Sequence, residues 1–188
     1  VLVLEPSADG GALKTGRKGC GTFDVAVHGR ASHAGLEPEK GVNALVEVAH
    51  QVLAINDLGR PEVGTTVTPT VASVGTADNV VPALGRIKVD VRVESADEKD
   101  RIEAAMAALR PVAPDSTIEV SGAINRPPMP ESASALLMPL AEAVAPGIVG
   151  LAVGGGSDGN FTAAIGVPTL DGLGAVGGGA HADHEYVV

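Results

Sequence analysis

Apolar and polar positions alternate through the middle of the chain in a way that is typical of half-buried β-strands. The stretch GTFDVAVHG (21–29) has period two, and residues 85–95 show the clearest alternation, with valine or isoleucine at every second position. Residues 64–76 are rich in β-branched residues, and Pro69 within them indicates a sheet edge or a bulge. Residues 116–122 predict a further strand.

Two segments between these strands have helical spacing instead. Residues 41–56 place apolar side chains three or four positions apart, and residues 96–112 predict an amphipathic helix. Asp97 and Glu98 fall in the first turn of the second helix, where they complement its dipole. The order β-α-β-β-α-β predicts a ferredoxin-like split unit over roughly residues 18–123.

The segments on either side of this unit are less regular. The apolar run of residues 1–4 predicts a short buried strand that delivers Glu5 at its end. The Gly-rich, charged residues 7–20 predict a surface connection or hinge.

Beyond Pro127 and Pro128 the composition shifts towards Ala, Leu and Gly. Residues 132–146 predict a helix that is interrupted or kinked at Pro139. A short helix at 160–165 and a short strand at 167–170 follow, separated by Gly-rich turns.

Composition excludes several classes of protein. The chain carries 13 Lys plus Arg against 23 Asp plus Glu, so we expect no nucleic-acid partner, since phosphate binding needs a basic surface. No apolar run approaches the ~18 residues of a membrane span, so we expect no membrane partner. The single cysteine, Cys20, excludes an intrachain disulfide. The opening VLVLEPS lacks Met, and we interpret it as a start in mid-strand within a longer, cytoplasmic protein, with the periplasm as an alternative compartment.

The stretch GGGAHADHEYVV (177–188) has the residues most typical of a metal site. His181 follows three glycines, and a neutral imidazole is a common zinc ligand. Asp183, His184 and Glu185 beside it could orient that imidazole. The local pattern alone favours a solvated polar turn, so the metal hypothesis needs support from elsewhere in the chain.

Other candidates are individually weak. Glu5 follows a predicted strand, where ligands often lie, and His33 follows another in a loop of small residues. Asn79 is a polar residue in the same predicted unit. Arg92 either packs its stem on a sheet face or clamps a carboxylate through its fork. Asp158 either caps the helix near residue 160 or contacts a substrate.

Taken in order, these residues form a pattern. The chain resembles the dinuclear zinc metallopeptidase and deacylase family that includes glutamate carboxypeptidase, acetylornithine deacetylase and succinyl-diaminopimelate desuccinylase, and it is most similar to the glutamate carboxypeptidase branch. The specific motif is HAGLEPEKGVNA (33–44). The other matching segments are LEPS (4–7), DNVVPA (78–83), VDVR (89–92), NRPPM (125–129), GGGSDGNF (154–161) and AHADHEYV (180–187).

The resemblance implies an α/β catalytic domain interrupted by a ferredoxin-like α+β lid and dimerisation domain. Residues 1–17 and 124–188 would then be parts of the catalytic domain, and residues 18–123 the lid. The family uses two zinc ions for each full-length protomer, and cobalt or manganese are alternatives. Three protein ligands and the general base would lie upstream of residue 1.

The resemblance also implies roles for single residues. Glu5 and His181 would bind metal, and His33 would come from the partner subunit's lid to stabilise the tetrahedral oxyanion. The residues that would bind or line the substrate are Asn79, Arg92, Arg126, Gly156 and Ser157. Because His33 would serve the other protomer, we expect a homodimer formed through the lid, by the helix at 41–56 or by an edge strand such as 64–76.

The function that the resemblance implies is zinc-dependent hydrolysis of an amide bond in a small peptide or N-acyl amino acid that bears a carboxylate. The longer protein would be a carboxypeptidase that releases C-terminal glutamate-like residues, or an N-acyl amino acid deacylase, and this chain alone would be inactive. Glu5 favours these over an aminopeptidase, in which the family tends to have Asp. Ureido hydrolysis and dipeptide cleavage remain open within the family. Outside it, the alternative is a non-catalytic dimerisation module.

Overall fold

The computed structural model describes residues 1–179 and 182–188 and divides them into two compact units. Unit 1 comprises Val1–Cys20, Val93–Ala96 and Arg126–Val188, and unit 2 comprises Gly21–Arg92 and Asp97–Asn125. The strands are β1 (Leu13–Arg17), β2 (Gly19–His28), β3 (Ser32–His33), β4 (Thr66–Val74), β5 (Val80–Val81), β6 (Leu84–Val93), β7 (Thr117–Arg126), β8 (Gly150–Val153), β9 (Gly177–Gly178) and β10 (Tyr186–Val187). The α-helices are α1 (Ala44–Asn56), α2 (Ala96–Ala107), α3 (Met138–Val144) and α4 (Gly159–Ala164). Short 3₁₀ turns lie at Asp9–Gly11, Pro38–Lys40, Pro61–Val63 and Glu131–Ser134.

Unit 2 is built on a four-stranded sheet with strand order β4-β6-β2-β7. The chain order of β2, α1, β4, β6, α2 and β7 is β-α-β-β-α-β, so the predicted mixed α/β fold with a ferredoxin-like lid is confirmed. The alternating residues of β2 and β6 supply the core, together with Ile55 of α1 and Ile102 and Met106 of α2. Burial of one face of each strand is what the period-two pattern requires.

The ends of these elements have local causes. The Asn43 Oδ1 accepts hydrogen bonds from the backbone N–H groups of Leu45 (2.9 Å) and Val46 (3.3 Å), so α1 begins at residue 44 rather than 41. Pro69 lies on an edge strand, and the β4–β6 register shifts between Pro69 and Val71. Both structural roles considered for this proline are therefore present.

Unit 1 contains the parallel pair β1–β8, and two expectations about its N-terminal part were wrong. Residues 1–4 form a single parallel bridge, Leu2 to Leu170, and the side chains of Leu2 and Leu4 are 64% and 78% exposed, so they are not a buried strand. Residues 13–17 are a strand rather than a surface hinge. Leu13 is a core residue of this strand, and Arg17 can be buried because its charge is neutralised by Asp171.

The C-terminal part of unit 1 also differs from expectation. Pro139 lies in the first turn of α3, where its missing N–H costs no helical hydrogen bond, so it starts a short helix instead of kinking a long one. The helix predicted at 160–165 is present as α4. The segment 167–170 is not a strand and contributes an isolated bridge at Leu170. No helix in residues 1–179 and 182–188 combines the length and apolar character of a membrane span.

Candidate functional site

His33 and Asn79 lie beside each other on unit 2. The short ladder β3–β5 pairs Ser32 with Val81 and His33 with Val80. It is extended by a hydrogen bond of 2.9 Å from the Ala34 N–H to the Asn79 carbonyl. Both side chains are exposed, so this corner presents an imidazole and an amide to solvent.

The loop after His33 fixes the hydrogen-bonding character of its ring. Its Nδ1 atom accepts hydrogen bonds from the backbone N–H groups of Gly35 (3.1 Å) and Leu36 (3.2 Å). A neutral imidazole has one donor and one acceptor nitrogen, so the proton must then lie on Nε2. His33 therefore presents a neutral N–H donor to solvent.

Arg92 uses its planar fork on a carboxylate of its own strand. Its Nε and Nη2 atoms donate to the two carboxylate oxygens of Asp90, each at 2.9 Å. Of the two alternatives considered from the sequence, the geometry shows the carboxylate clamp, and Asp90 is the partner. The substrate-binding role of Arg92 stays a prediction, and a substrate carboxylate would have to share or replace Asp90.

Arg126 of unit 1 lies against the Gly-rich loop of residues 154–158, which precedes α4. Its guanidinium carbon is 5.0 Å from the centre of the Phe161 ring, and its Nη2 atom is 3.4 Å from Asp158 Oδ1. A side chain at Gly156 would place Cβ 2.8 Å from Arg126 Cδ and 3.0 Å from Cys20 Sγ. The absence of a side chain at Gly156 therefore leaves space for the aliphatic part of the Arg126 side chain.

Asp158 occupies the N-cap position of α4, but its side chain makes no capping hydrogen bond, so the capping alternative was wrong. The Ser157 hydroxyl accepts from the Gly159 N–H at 3.1 Å, and the Asn160 Oδ1 accepts from the Ser157 N–H at 2.8 Å. Ser157 and Asn160 thus accept the backbone hydrogen bonds of this loop, and the Asp158 carboxylate contacts Arg126 instead.

The same loop is anchored by a buried ion pair between Arg17 and Asp171. Arg17 donates through Nε (2.7 Å) and Nη2 (2.9 Å) to Asp171, and through Nη1 (2.8 Å) to the Gly155 carbonyl. The Ser157 hydroxyl donates to the same Asp171 carboxylate. Burial raises the pKa of Asp171, but the hydrogen bonds from Arg17 and Ser157 outweigh it, so the net shift of this pKa is downward.

Sequence reasoning missed Arg17 and Asp171. Arg17 lay in a charged segment interpreted as solvated, and Asp171 followed a predicted strand without being singled out. The signal that could have found them is an acid at the end of a predicted strand, since such a carboxylate needs a cation when it is buried. For Ser157, the hydroxyl is buried and engaged with Asp171, and contact with a substrate stays a prediction.

Glu5 lies at a cavity of about 230 Å³ in unit 1. Its carboxylate is exposed and makes no hydrogen bond or ion pair to the described residues, so it is available as one metal ligand. Lys14 lines the same cavity, and burial and the nearby Arg17 lower its pKa despite the opposing charges of Asp171 and Glu5. The other candidate ligand, His181, lies outside the described residues.

The described residues alone do not form a complete metal centre. Within residues 1–179 and 182–188, no three or more His, Cys, Asp or Glu side chains come together in a metal-binding arrangement. A zinc site needs about four ligands. Glu5 fits zinc by its chemistry as one such ligand.

The chain has clear relatives. Residues 15–115 match the M20_dimer family model, described as a peptidase dimerisation domain. Carboxypeptidase G2 of Pseudomonas sp. (strain RS-16) is 34% identical over 201 residues, which cover 100% of this chain and 48% of that protein. The indole-3-acetyl-aspartic acid hydrolase of Enterobacter agglomerans is 38% identical over 76 residues, which cover 40% of this chain and 17% of that protein.

Solved structures agree on the fold. A tripeptidase from Staphylococcus aureus subsp. aureus Mu50 superposes with a TM-score of 0.75 at 21% identity, covering 98% of this chain and 50% of that one. At this identity the likeness concerns the fold alone. The chain spans about half or less of the length of these relatives.

Proposed function

We propose, since this chain belongs to the M20 peptidase dimerisation-domain family, that it is part of a longer protein that hydrolyses amide bonds with zinc. The substrate is a small peptide or N-acyl amino acid that carries a carboxylate. The observation that carries this proposal is the 34% identity with Carboxypeptidase G2 along the whole chain. The activity is carboxypeptidase-like release of a glutamate-like residue, or N-acyl amino acid deacylation.

His33 is the group we assign to the oxyanion. The two N–H groups that bind its Nδ1 leave Nε2–H as a neutral donor, which is what a developing negative charge on a carbonyl oxygen requires. Asn79 lies beside it on the neighbouring strand and would assist. In the proposed dimer, this pair acts on the site of the partner protomer.

Arg126 and Arg92 are the groups we assign to the substrate carboxylate. Both guanidinium groups already contact a carboxylate, of Asp158 and Asp90 respectively. The Gly156 backbone would line the pocket beside Arg126, where an added Cβ atom would lie 2.8 Å from Arg126 Cδ. The name of the indole-3-acetyl-aspartic acid hydrolase supports an amide substrate that ends in an acidic amino acid.

Glu5 and His181 are the metal ligands that this chain would contribute. Bound zinc would supply a water of lowered pKa and would polarise the scissile carbonyl. The availability of the Glu5 carboxylate beside a cavity supports its assignment.

The dimer would form through α1 and β4. The sequence left these two elements as alternatives, and in the structure they contact each other, so they offer one surface. β4 is an edge strand, and Val71 on it and Leu45 and Leu53 on α1 are exposed apolar side chains. A second copy of the chain would cover them.

The central experiment uses the longer protein with an N-acyl-glutamate substrate. We expect zinc-dependent release of glutamate that EDTA abolishes and zinc restores. His33→Ala should lower kcat about 10²–10³-fold, as removal of one oxyanion donor does. His28→Gln, on β2 of the same unit, is the matched control. Activity that survives removal of all bound metal would contradict the proposal, and an unchanged kcat for His33→Ala would remove the oxyanion role.

The second candidate is a non-catalytic dimerisation module. It is favoured by one observation, that no three or more His, Cys, Asp or Glu side chains form a metal-binding group within residues 1–179 and 182–188. The two candidates differ in metal content, because the hydrolase would bind two equivalents of zinc per full-length protomer, whereas the module would bind none. For the 188-residue chain alone we expect no hydrolysis in either case.

A further inference from the structure

The contact between Arg126 and Asp158 is weak and open to solvent. A single distance of 3.4 Å joins Arg126 Nη2 to Asp158 Oδ1, and the two side chains are 31% and 90% exposed. An exposed, single-contact ion pair of this kind contributes little to stability. A small ligand can therefore displace the Asp158 carboxylate at little cost.

Nothing else in the described part of the chain holds that carboxylate. Asp158 lies at the N-cap of α4, where an Asp ordinarily accepts a backbone hydrogen bond, but here Ser157 and Asn160 make the hydrogen bonds of this turn. The Asp158 side chain therefore does not cap α4, although it lies at the N-cap position.

Arg126, in contrast, is held independently of Asp158. Its guanidinium stacks over the Phe161 ring at 5.0 Å, and its stem passes Gly156 where a Cβ would come within 2.8 Å of Cδ. The guanidinium would thus keep its place if Asp158 moved away, and it would present its fork to another carboxylate.

We propose that Asp158 is an internal stand-in for the carboxylate of the ligand, and that it determines specificity by competing for Arg126. A free carboxylate displaces it because a bidentate fork contact is stronger than one 3.4 Å contact. A ligand without a carboxylate gains nothing from Arg126 and leaves Asp158 in place. This inference rests on the proposed function, because it assumes that the site receives a carboxylate-bearing substrate.

The test titrates the 188-residue chain with N-acetyl-L-glutamate and follows the Arg126 side-chain N–H signals by NMR. Asp158→Ala should bind this probe more tightly than the wild type, by up to about fivefold, which is the most that an exposed ion pair offers. Glu142→Ala, which removes one exposed negative charge of unit 1 elsewhere, is the matched control and should leave the affinity unchanged. The neutral diamide of the probe should bind both variants equally.

Two further measurements make the test decisive. Arg126→Gln should abolish the preference for the acid over the diamide, and Asp158→Ala should keep the wild-type melting temperature because it removes no capping hydrogen bond. Equal affinity of Asp158→Ala and Glu142→Ala, or no binding of the acid to any variant, would overturn the inference.

The outcome is separable from that of the proposed function. Tighter binding by Asp158→Ala without any hydrolysis by the longer protein would uphold the inference and reject the function. Hydrolysis with a KM that does not respond to Asp158→Ala, and with unchanged binding, would do the reverse.

Discussion

Glu98, in the first turn of α2, is a carboxylate with an unusually strong set of partners. Arg101 donates to both of its oxygens, at 2.7 and 2.6 Å, and the Thr65 hydroxyl donates at 2.7 Å. The hydrogen bonds from Arg101 outweigh the opposing effect of burial and, with the bond from Thr65, lower the pKa of Glu98 to about 2. Glu98 thereby joins the start of α2 to the segment before β4.

This pKa predicts an acid-dependent loss of stability. A carboxyl whose pKa is lower in the folded than in the unfolded state stabilises the fold above its unfolded pKa, and this stabilisation is lost as protonation proceeds. For Glu98 the window runs from its ordinary value of 4.5 down to about 2. We expect Glu98→Gln to lower the free energy of unfolding at pH 7 and to flatten its pH dependence in this window, as measured by urea denaturation. Glu119→Gln, at an exposed acid of β7, should keep the wild-type profile.

The buried pair of Arg17 and Asp171 predicts an asymmetric mutational response. Arg17→Met leaves the Asp171 carboxylate buried without its cation and should cost about 3–5 kcal/mol of unfolding free energy. Replacing both residues by apolar ones of similar volume should recover much of that loss. A double variant no more stable than Arg17→Met would show that the charges are not the source of the effect. Thermal and urea denaturation provide both measurements.

At the scale of elements, the exposed face of α1 and the edge strand β4 form one surface of unit 2. Leu53 in this surface is 66% exposed, although the other face of α1 is buried in the core. Edge strands with apolar neighbours invite pairing unless something covers them. We therefore expect substitutions in this surface, the α1–β4 face, to weaken the proposed dimer most.

We expect Leu53→Asp to convert the dimer to a monomer without unfolding it, because the substitution places a charge in the proposed contact and none in the core. Val112→Asp is the matched control, since Val112 is 60% exposed in the same unit and belongs to neither α1 nor β4. Sedimentation velocity measures the oligomeric state, and circular dichroism checks the fold. A dimer that persists in Leu53→Asp would move the proposed interface elsewhere.

At the scale of the whole molecule, the division into two units predicts independent folding of the lid. We expect a segment of residues 18–125 to fold by itself, because its sheet, both of its helices and their shared core lie almost entirely in unit 2. The measurement is a cooperative unfolding transition together with dispersed amide signals. A segment that unfolds without cooperativity would show that the proposed domain boundaries are wrong.

Residues whose environment is set by their own strand or helix were predictable from the sequence. The alternation in β2 and β6 and the spacing in α1 predicted both the elements and their buried faces. Arg17 and Asp171 were not predictable, because their burial depends on a partner 154 positions away in sequence. Asp158 was ambiguous for a similar reason, since the choice between a cap and a distant arginine depends on what Ser157 and Asn160 do.

The strands that open and close unit 2, β2 and β7, are neighbours in its sheet. On the unit 1 side, Arg17 and Met129 exchange two backbone hydrogen bonds of 2.9 Å, so the outgoing and returning chains run side by side. A short turn between these two residues could close the gap if the intervening segment were removed. The segment between Arg17 and Met129 contains all of unit 2 together with the short unit 1 stretch Val93–Ala96. Because its two ends lie close together, this segment has the topology of an inserted domain, which recombination could delete or exchange.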